Sequence, residues 1–291
     1  MNSILGVSTT ECECSEAVGL DAKVCSSRSI IDIMKEYSKT PSQSSTTILN
    51  KIEKQLKCDN EVCVLENPEF KKFVKKQGEI EKLNDDKVLR FKPSGPRSTL
   101  ELITNFNIAD VLAQWGANHD EFYPYAPVMM DFNKTGGSLC ASVPDIINSK
   151  LGSTLQGNTE VYNFSPSKFK YLGGIVNTDY SYGHGKHWVA VFVDCRQPIV
   201  SVEYFNSSGN PPTNEIIEWM ETTCADLEFI GREAYSDAVT DRQHQEGPTE
   251  CGLYALYYIR CRLEGNSQDL FRDNKITDDE MTKFRKHLFR N

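Results

Sequence analysis

No stretch of the 291-residue chain approaches the roughly 18 uninterrupted apolar residues that a membrane-spanning helix needs, so no membrane insertion is expected. The first twenty residues lack a basic segment followed by an apolar one, so no secretory signal is expected either. Asn at position 2 does not fit N-myristoylation, which requires Gly there. Histidine is absent from the first 100 residues, and a C-x-x-C pair is absent throughout. Both absences weigh against zinc, and no cofactor is expected. The ten cysteines, at 12, 14, 25, 58, 63, 140, 195, 224, 251 and 261, are therefore read as thiols rather than as disulfides or metal ligands. Excess positive charge is missing too. The net charge is −9, and residues 101–291 hold 16 Lys and Arg against 26 Asp and Glu. Such a field repels phosphate backbones and argues against nucleic acid as a required partner. No internal repeat or long low-complexity tract is visible.

What remains, 39% apolar and 25% charged residues, is enough for a sizeable core in one or two domains. Residues 1–100 are nearly balanced in charge, with 16 basic against 15 acidic side chains. Their one concentrated basic run, Lys71-Lys72-Phe73-Val74-Lys75-Lys76, reads as a solvated helix face. Short helices are expected at Ile30–Met34, at Ile48–Leu56 and after Asn67-Pro68, an N-cap with Pro in the first helical position. Residues 92–98, Lys-Pro-Ser-Gly-Pro-Arg-Ser, cannot continue a helix and mark a boundary. The division expected is a helical arm over 1–100 and a core over 101–291.

In the second part, Ile108, Val111, Leu112 and Trp115 share one helix face. The apolar run Val189–Val193 reads as a strand buried on both faces, and Ile199–Phe205 as a second strand ending at the Asn206-Ser-Ser-Gly turn. Ile216, Met220 and Leu227 suggest another helix. Cys251–Leu263 is apolar almost all round and reads as a buried central helix. Thr277-Asp-Asp-Glu280 is a capping box opening a last helix. Strands and helices mix without regular alternation, which gives an α+β class.

A cysteine nucleophile needs an activated sulfur, a base, a group orienting that base, and oxyanion donors. Cys251 opens the buried helix, where free N–H groups and the helix dipole are expected to lower a thiol pKa. Gly252 is read as leaving the backbone clear for a substrate. His187 stands at the start of the first strand. If the two strands pair, Asn206 lies beside it and can accept its ring N–H, as in Cys-His-Asn triads. Gln245, six residues before Cys251, carries an amide able to reach an oxyanion, and Gln243 has the same chemistry. His244 is the competing candidate for the base. Cys195, Cys224 and Cys261 have no base in the pattern.

The order His187-Trp188, Asn206, Gln245, Cys251-Gly252 resembles the Ulp1/adenain type of cysteine protease. The resemblance spans roughly residues 101–291. It implies a mixed sheet flanked by helices, with His187 as base, Asn206 as its orienter, Cys251 as nucleophile and Gln245 as oxyanion donor. It also implies that Trp188 covers a narrow substrate tunnel. Within that type, six segments are similar to the polyprotein-processing branch found in African swine fever virus: Leu102–Ile108, Met129–Phe132, Gly185–Ala190, Glu203–Ser207, Thr249–Gly252 and His287–Arg290. That branch also has a helical arm before its core. The likeness implies cleavage after Gly-Gly in viral structural polyproteins, in host cytoplasm and virion, with the arm docking to substrate or to the assembling core. The alternative on the same core is a SUMO or ubiquitin-like deconjugase.

Overall fold

The computed structural model describes residues 14, 15, 18, 23–96, 98, 100–156 and 159–290. The chain forms two compact units, one holding the described residues up to Gly95 together with those from Lys286 to Arg290, the other running from Pro96 to Arg285. The border thus falls at Gly95/Pro96, inside the Pro/Gly-rich break rather than after residue 100. The segment beyond Arg285 returns to the first unit, because Ser94 bridges Arg290 and Arg290 Nε donates to Lys92 O at 2.9 Å.

The first unit is helical: α1 (Arg28–Ser38), α2 (Ser45–Leu56), α3 (Glu61–Glu66), α4 (Pro68–Lys76) and α5 (Ile80–Arg90). Their apolar faces meet in a core that includes Ile30, Met34, Ile48, Ile52, Leu65, Phe70 and Val74. Asn67 Oδ1 caps α4 by accepting from Glu69 N and Phe70 N, as the Asn-Pro pair foretells. The thiol expectation fails in this unit. Cys14 is bonded to Cys25 and Cys58 to Cys63, with Cα atoms 5.1 and 5.4 Å apart. A bridge to Phe91 positions Cys14, and the Glu61 carboxylate accepts from Cys25 N and Ser26 N. The α2–α3 turn folds Cys58 back onto Cys63. Proximity of this kind comes from tertiary structure, which reasoning from compartment does not address.

The second unit is built on a mixed sheet. Strands β5 (Tyr171–Asn177), β6 (Trp188–Asp194), β7 (Val200–Phe205) and β8 (Ala234–Val239) lie side by side in that order. β1 (Phe122–Pro124) and β2 (Val128–Met129) share the far side of β5. The pairs β5–β6 and β6–β7 are antiparallel, and β7–β8 is parallel. A separate hairpin, β3 (Asn148–Gln156) with β4 (Thr159–Pro166), stands outside this sheet.

Side chains alternate between the two sheet faces. Val189, Val191, Val193, Val200, Val202 and Tyr204 pack with Ile216, Trp219, Met220 and Leu227 of α9 (Asn214–Phe229). On the other face Phe205 stacks on Tyr258 of α10 (Cys251–Leu263) with centroids 4.6 Å apart. The sheet therefore separates α9 from α10, which explains why β6 and α10 are apolar nearly all round. The fold is α+β, with a mixed sheet flanked by helices. Glu203, wholly buried on the α10 side, explains the imperfect alternation of β7. Its carboxylate accepts from Arg262 Nε and Nη2, both at 2.9 Å, and from Tyr258 Oη at 2.7 Å. α12 (Asp278–Leu288) carries the expected capping residue Thr277, and Thr104 caps α6 (Asn105–Asn118). Among the described residues no helix is long and apolar enough to cross a membrane.

Candidate active site

The sheet register places His187 and Asn206. Ala190 pairs with Phe205. Running the same antiparallel register onward sets position 208 opposite 187, with Asn206 two residues before it. His187 sits just ahead of β6, its carbonyl accepting from Thr178 N at 2.8 Å, and Asn206 just after β7. Across this gap His187 Nε2 lies 2.8 Å from Asn206 Oδ1 and 3.0 Å from Ser208 Oγ.

The tautomer follows from the partners. Asn206 Nδ2 donates to Asn210 O, which can only accept, and to the Tyr204 hydroxyl. That fixes Oδ1 toward the imidazole, so Nε2 carries the proton and donates it to Asn206. Nδ1 then holds the lone pair. Oδ1 also accepts from Ser208 N and Ser208 Oγ, at 3.0 and 2.8 Å. Burial pushes the His187 pKa down, and the Asn206 bond opposes it only in part. The ring is neutral at pH 7.

Cys251 is the first residue of α10 and is nearly fully buried. Backbone N–H groups of Trp188, Gly252 and Cys251 itself face its sulfur and favour the thiolate. Burial outweighs them, and the pKa is raised. The expected lowering by the helix terminus is thus overturned: desolvation of the anion exceeds the stabilisation from three N–H groups. Burial thus favours the uncharged form of both Cys251 and His187. The contact of the sulfur with Trp188 N sets Cys251 against the residue that follows His187.

Gly252 also has a different reason from the one its position suggests. A Cβ there would come within 2.6 Å of Ile103 Cδ1 and 3.2 Å of Trp188 Cδ1. The space is occupied by protein, so glycine serves the packing of Ile103 and the indole against the start of α10.

Gln245 is buried, and its loop is tied to the strand end. Ser207 O accepts from His244 N and Gln245 N at 2.7 and 3.0 Å, while Ser207 Oγ donates to Gln245 Oε1 at 2.9 Å. Gln245 Nε2 donates to Gly247 O, which leaves its second amide proton for another acceptor. Gln243 Nε2 donates to Gln245 O at 3.0 Å, a supporting contact. Asp278 Oδ2 accepts from Gly247 N and Glu246 N of the same loop. Ser207 and Ser208 read in the sequence only as turn residues. Their hydroxyls in fact join the strand end to the Gln245 loop and to His187, and the one sequence signal is their adjacency to Asn206.

His244 is placed as a core side chain. It is buried among Phe205, Tyr254 and Phe271. Its Nδ1 accepts from Ile276 N at 3.1 Å, and a further bond runs to the Phe271 backbone. Burial and the nearby cations Lys275 and Arg242 push its pKa down to about 4. Cys195, Cys224 and Cys261 are likewise held as thiols by burial. Cys195 and Cys261 are pushed up to about 12 by burial, and Cys224 is raised.

Residues 167–291 match the Ulp1 protease family, C-terminal catalytic domain. The SUMO-1 cysteine protease of African swine fever virus, isolate Kenya 1950, is 37% identical over 277 residues, covering 89% of this chain and 99% of that protein. The same protein from the Pretoriuskop isolate is 40% identical over 253 residues, or 87% of this chain and 90% of the other. The chain belongs to the Ulp1 family of cysteine proteases. Within the family it shares the architecture of the African swine fever virus protease crystal structure, with a TM-score of 0.75 and 34% identity over 99% of this chain and 98% of that one. It is a viral cysteine-type peptidase of the African swine fever virus kind, and its substrates are proteins.

Proposed function

We propose that this Ulp1-family protease cleaves viral structural polyproteins after the second Gly of Gly-Gly-X, with Cys251 as nucleophile and His187 as base. His187 Nδ1 takes the thiol proton as the sulfur attacks the carbonyl carbon of that glycine. The oxyanion is met by the N–H of Cys251 and by the free amide proton of Gln245. Collapse expels the amine, which takes the proton from His187, and leaves a thioester. Water, deprotonated by His187, then hydrolyses the thioester and restores the thiol. Asn206 holds the ring in the Nε2–H tautomer through the cycle. A neutral resting pair suits this sequence, because proton transfer is coupled to attack instead of preceding it.

The observation that carries the specificity is the indole of Trp188, which packs with Ile103 on the backbone of Gly252 beside the nucleophile. An extended chain passing under that indole is selected by exclusion, since a side chain on either residue before the scissile bond meets the ring. Paired peptides Gly-Gly-Ala, Ala-Gly-Ala and Gly-Ala-Ala test this reading. Either alanine is expected to lower kcat/KM on the order of a hundredfold for a clash of about 3 kcal/mol. Equal values would refute it.

The name of the African swine fever virus relatives, SUMO-1 cysteine protease, favours a second reading as a deconjugase. Release of free SUMO from a conjugate faster than cleavage of a Gly-Gly polyprotein would prefer it. Action in host cytoplasm and virion is part of the first reading. So is docking by the arm, whose exposed Lys72, Lys75 and Lys76 on α4 face away from Phe70 and Val74.

A further inference from the structure

The segment Leu100–Phe106 exposes three large apolar side chains within seven residues: Leu100 is 80% exposed, Leu102 56% and Phe106 74%. A run of this kind costs solubility without adding to the core, and such patches mark places where another molecule sits. The segment is not loose. Arg285 Nη1 donates to Glu101 O at 2.7 Å and to Ser98 O at 3.4 Å. Thr104 and Asn107 close a capping box at the start of α6. Between these anchors Ile103 alone turns inward, and its Cδ1 abuts Gly252, the residue after the nucleophile. The exposed side chains are therefore carried on a fixed edge that continues outward from the start of α10 and Trp188.

We propose that Leu100, Leu102 and Phe106 form an apolar docking strip for the protein substrate, receiving aliphatic or aromatic side chains that flank the cleaved sequence. The occupant is the polypeptide under cleavage, because the strip is continuous through Ile103 with the backbone at the nucleophile. The proposal rests on Cys251 as the nucleophile. It adds a recognition element outside the narrow passage under Trp188, where side chains are excluded and little binding energy is available. Burying three such side chains against apolar partners is enough to change affinity tenfold or more.

The test uses two fluorescent twelve-residue peptides with Gly-Gly-Ala at the centre, one with Leu and Phe on both flanks and one with Ser and Gln there. Binding to the full-length Cys251→Ala protein is read by anisotropy, so the result does not depend on cleavage. The apolar-flanked peptide is expected to bind about tenfold more tightly, and Leu100→Ser/Leu102→Ser/Phe106→Ser in the same background is expected to abolish that preference. In the active enzyme the triple variant is expected to raise KM for the apolar-flanked peptide, leave kcat unchanged, and leave acetyl-Gly-Gly-Ala-amide turnover within about twofold. A preference retained by the variant overturns the proposal. So does equal loss on the short peptide, which would make the segment a support of the fold, or a shift from dimer to monomer with the preference intact, which would make a second copy the occupant. Failure of the active enzyme to cut any Gly-Gly peptide, with binding as expected, would count against the cleavage specificity alone.

Discussion

The strand ends around His187 and the aromatic nest around His244 each hold a neutral imidazole, and they differ in what is done with the two ring nitrogens. At the strand ends, Nε2 is held by Asn206 and Ser208, while Nδ1 keeps its lone pair on the side of the ring away from them. In the nest, Nδ1 accepts from Ile276 N and the Phe271 backbone takes up the imidazole as well. Burial lowers both pKa values, so a perturbed pKa does not separate a base from a core residue here. The separation lies in the partners: one ring is oriented and left with a reactive site, the other is consumed by backbone. The loop from His244 to Glu250 then has a supporting role, since it holds Gln245 against Ser207 and uses His244 to fasten itself to the core.

The largest expected effect is at the sulfur that the first region serves. Cys251→Ala should abolish turnover while the far-ultraviolet spectrum and Tm stay close to wild type, because one small side chain is lost. Cys224→Ser and Cys195→Ser should keep nearly full activity in the same assay. Residual turnover in Cys251→Ala would place the chemistry elsewhere.

Next comes the hold on the base. Asn206→Ala should lower kcat on the order of tenfold to a hundredfold, the worth of one hydrogen bond of about 1.5–3 kcal/mol to a ring that becomes charged. The Asn206 bond raises the His187 pKa. Its loss should therefore move the acid limb of kcat/KM to lower pH. Ser208→Ala should cost less, since Ser208 N still supports Asn206. An acid limb moving to higher pH would contradict the assigned geometry.

A smaller effect concerns the resting thiol. Because burial raises the Cys251 pKa, the rate of iodoacetamide labelling at Cys251 should keep climbing with pH through the ordinary thiol range. A plateau by about pH 7 would instead indicate a preformed thiolate–imidazolium pair.

The smallest effect on activity, though not on stability, is expected in the second region. His244 has its pKa at about 4 in the folded protein, against about 6.5 for a free imidazole. The unfolded chain therefore binds this proton first as pH falls. The stability tied to the neutral ring is complete above about pH 6.5 and is lost as pH drops toward 4, by roughly 3 kcal/mol in all. His244→Gln should flatten that part of the stability profile, measured by urea unfolding at several pH values.

Much of this arrangement is legible in the sequence. Cys251–Leu263 is a helix end to end, because its apolar positions leave no face for water. Val189–Val193 is a strand because β-branched residues run too briefly for a helix and are covered on both sides. The order of His187, Asn206, Gln245 and Cys251 points to the Ulp1 family, to which the chain belongs. The hairpin β3–β4 and the strand Tyr171–Asn177 are not legible in the same way. Gly173 and Gly174 break the apolar pattern of that strand, for they make room for Phe122 and Tyr125 from elsewhere in the chain. The disulfides, the buried Glu203–Arg262 pair and the roles of Ser207 and Ser208 are likewise hidden. Each depends on a partner at least 21 residues away, apart from the two cysteine pairs, which are 11 and 5 residues apart in sequence. The raised thiol pKa escapes a sequence reading for a related reason: a helix start is visible in a sequence, and the depth at which it is buried is not.

The most direct test sets the two histidines against each other in one assay. His187→Ala and His244→Gln are compared for kcat/KM on a Gly-Gly-Ala peptide at about pH 7.5, each scaled by the folded fraction from its own unfolding curve. Loss of general-base assistance predicts a fall of about a hundredfold or more for His187→Ala, and His244→Gln should remain within about threefold of wild type. A well-folded His244→Gln that is inactive, beside a His187→Ala that still turns over, would contradict the assignment of the base.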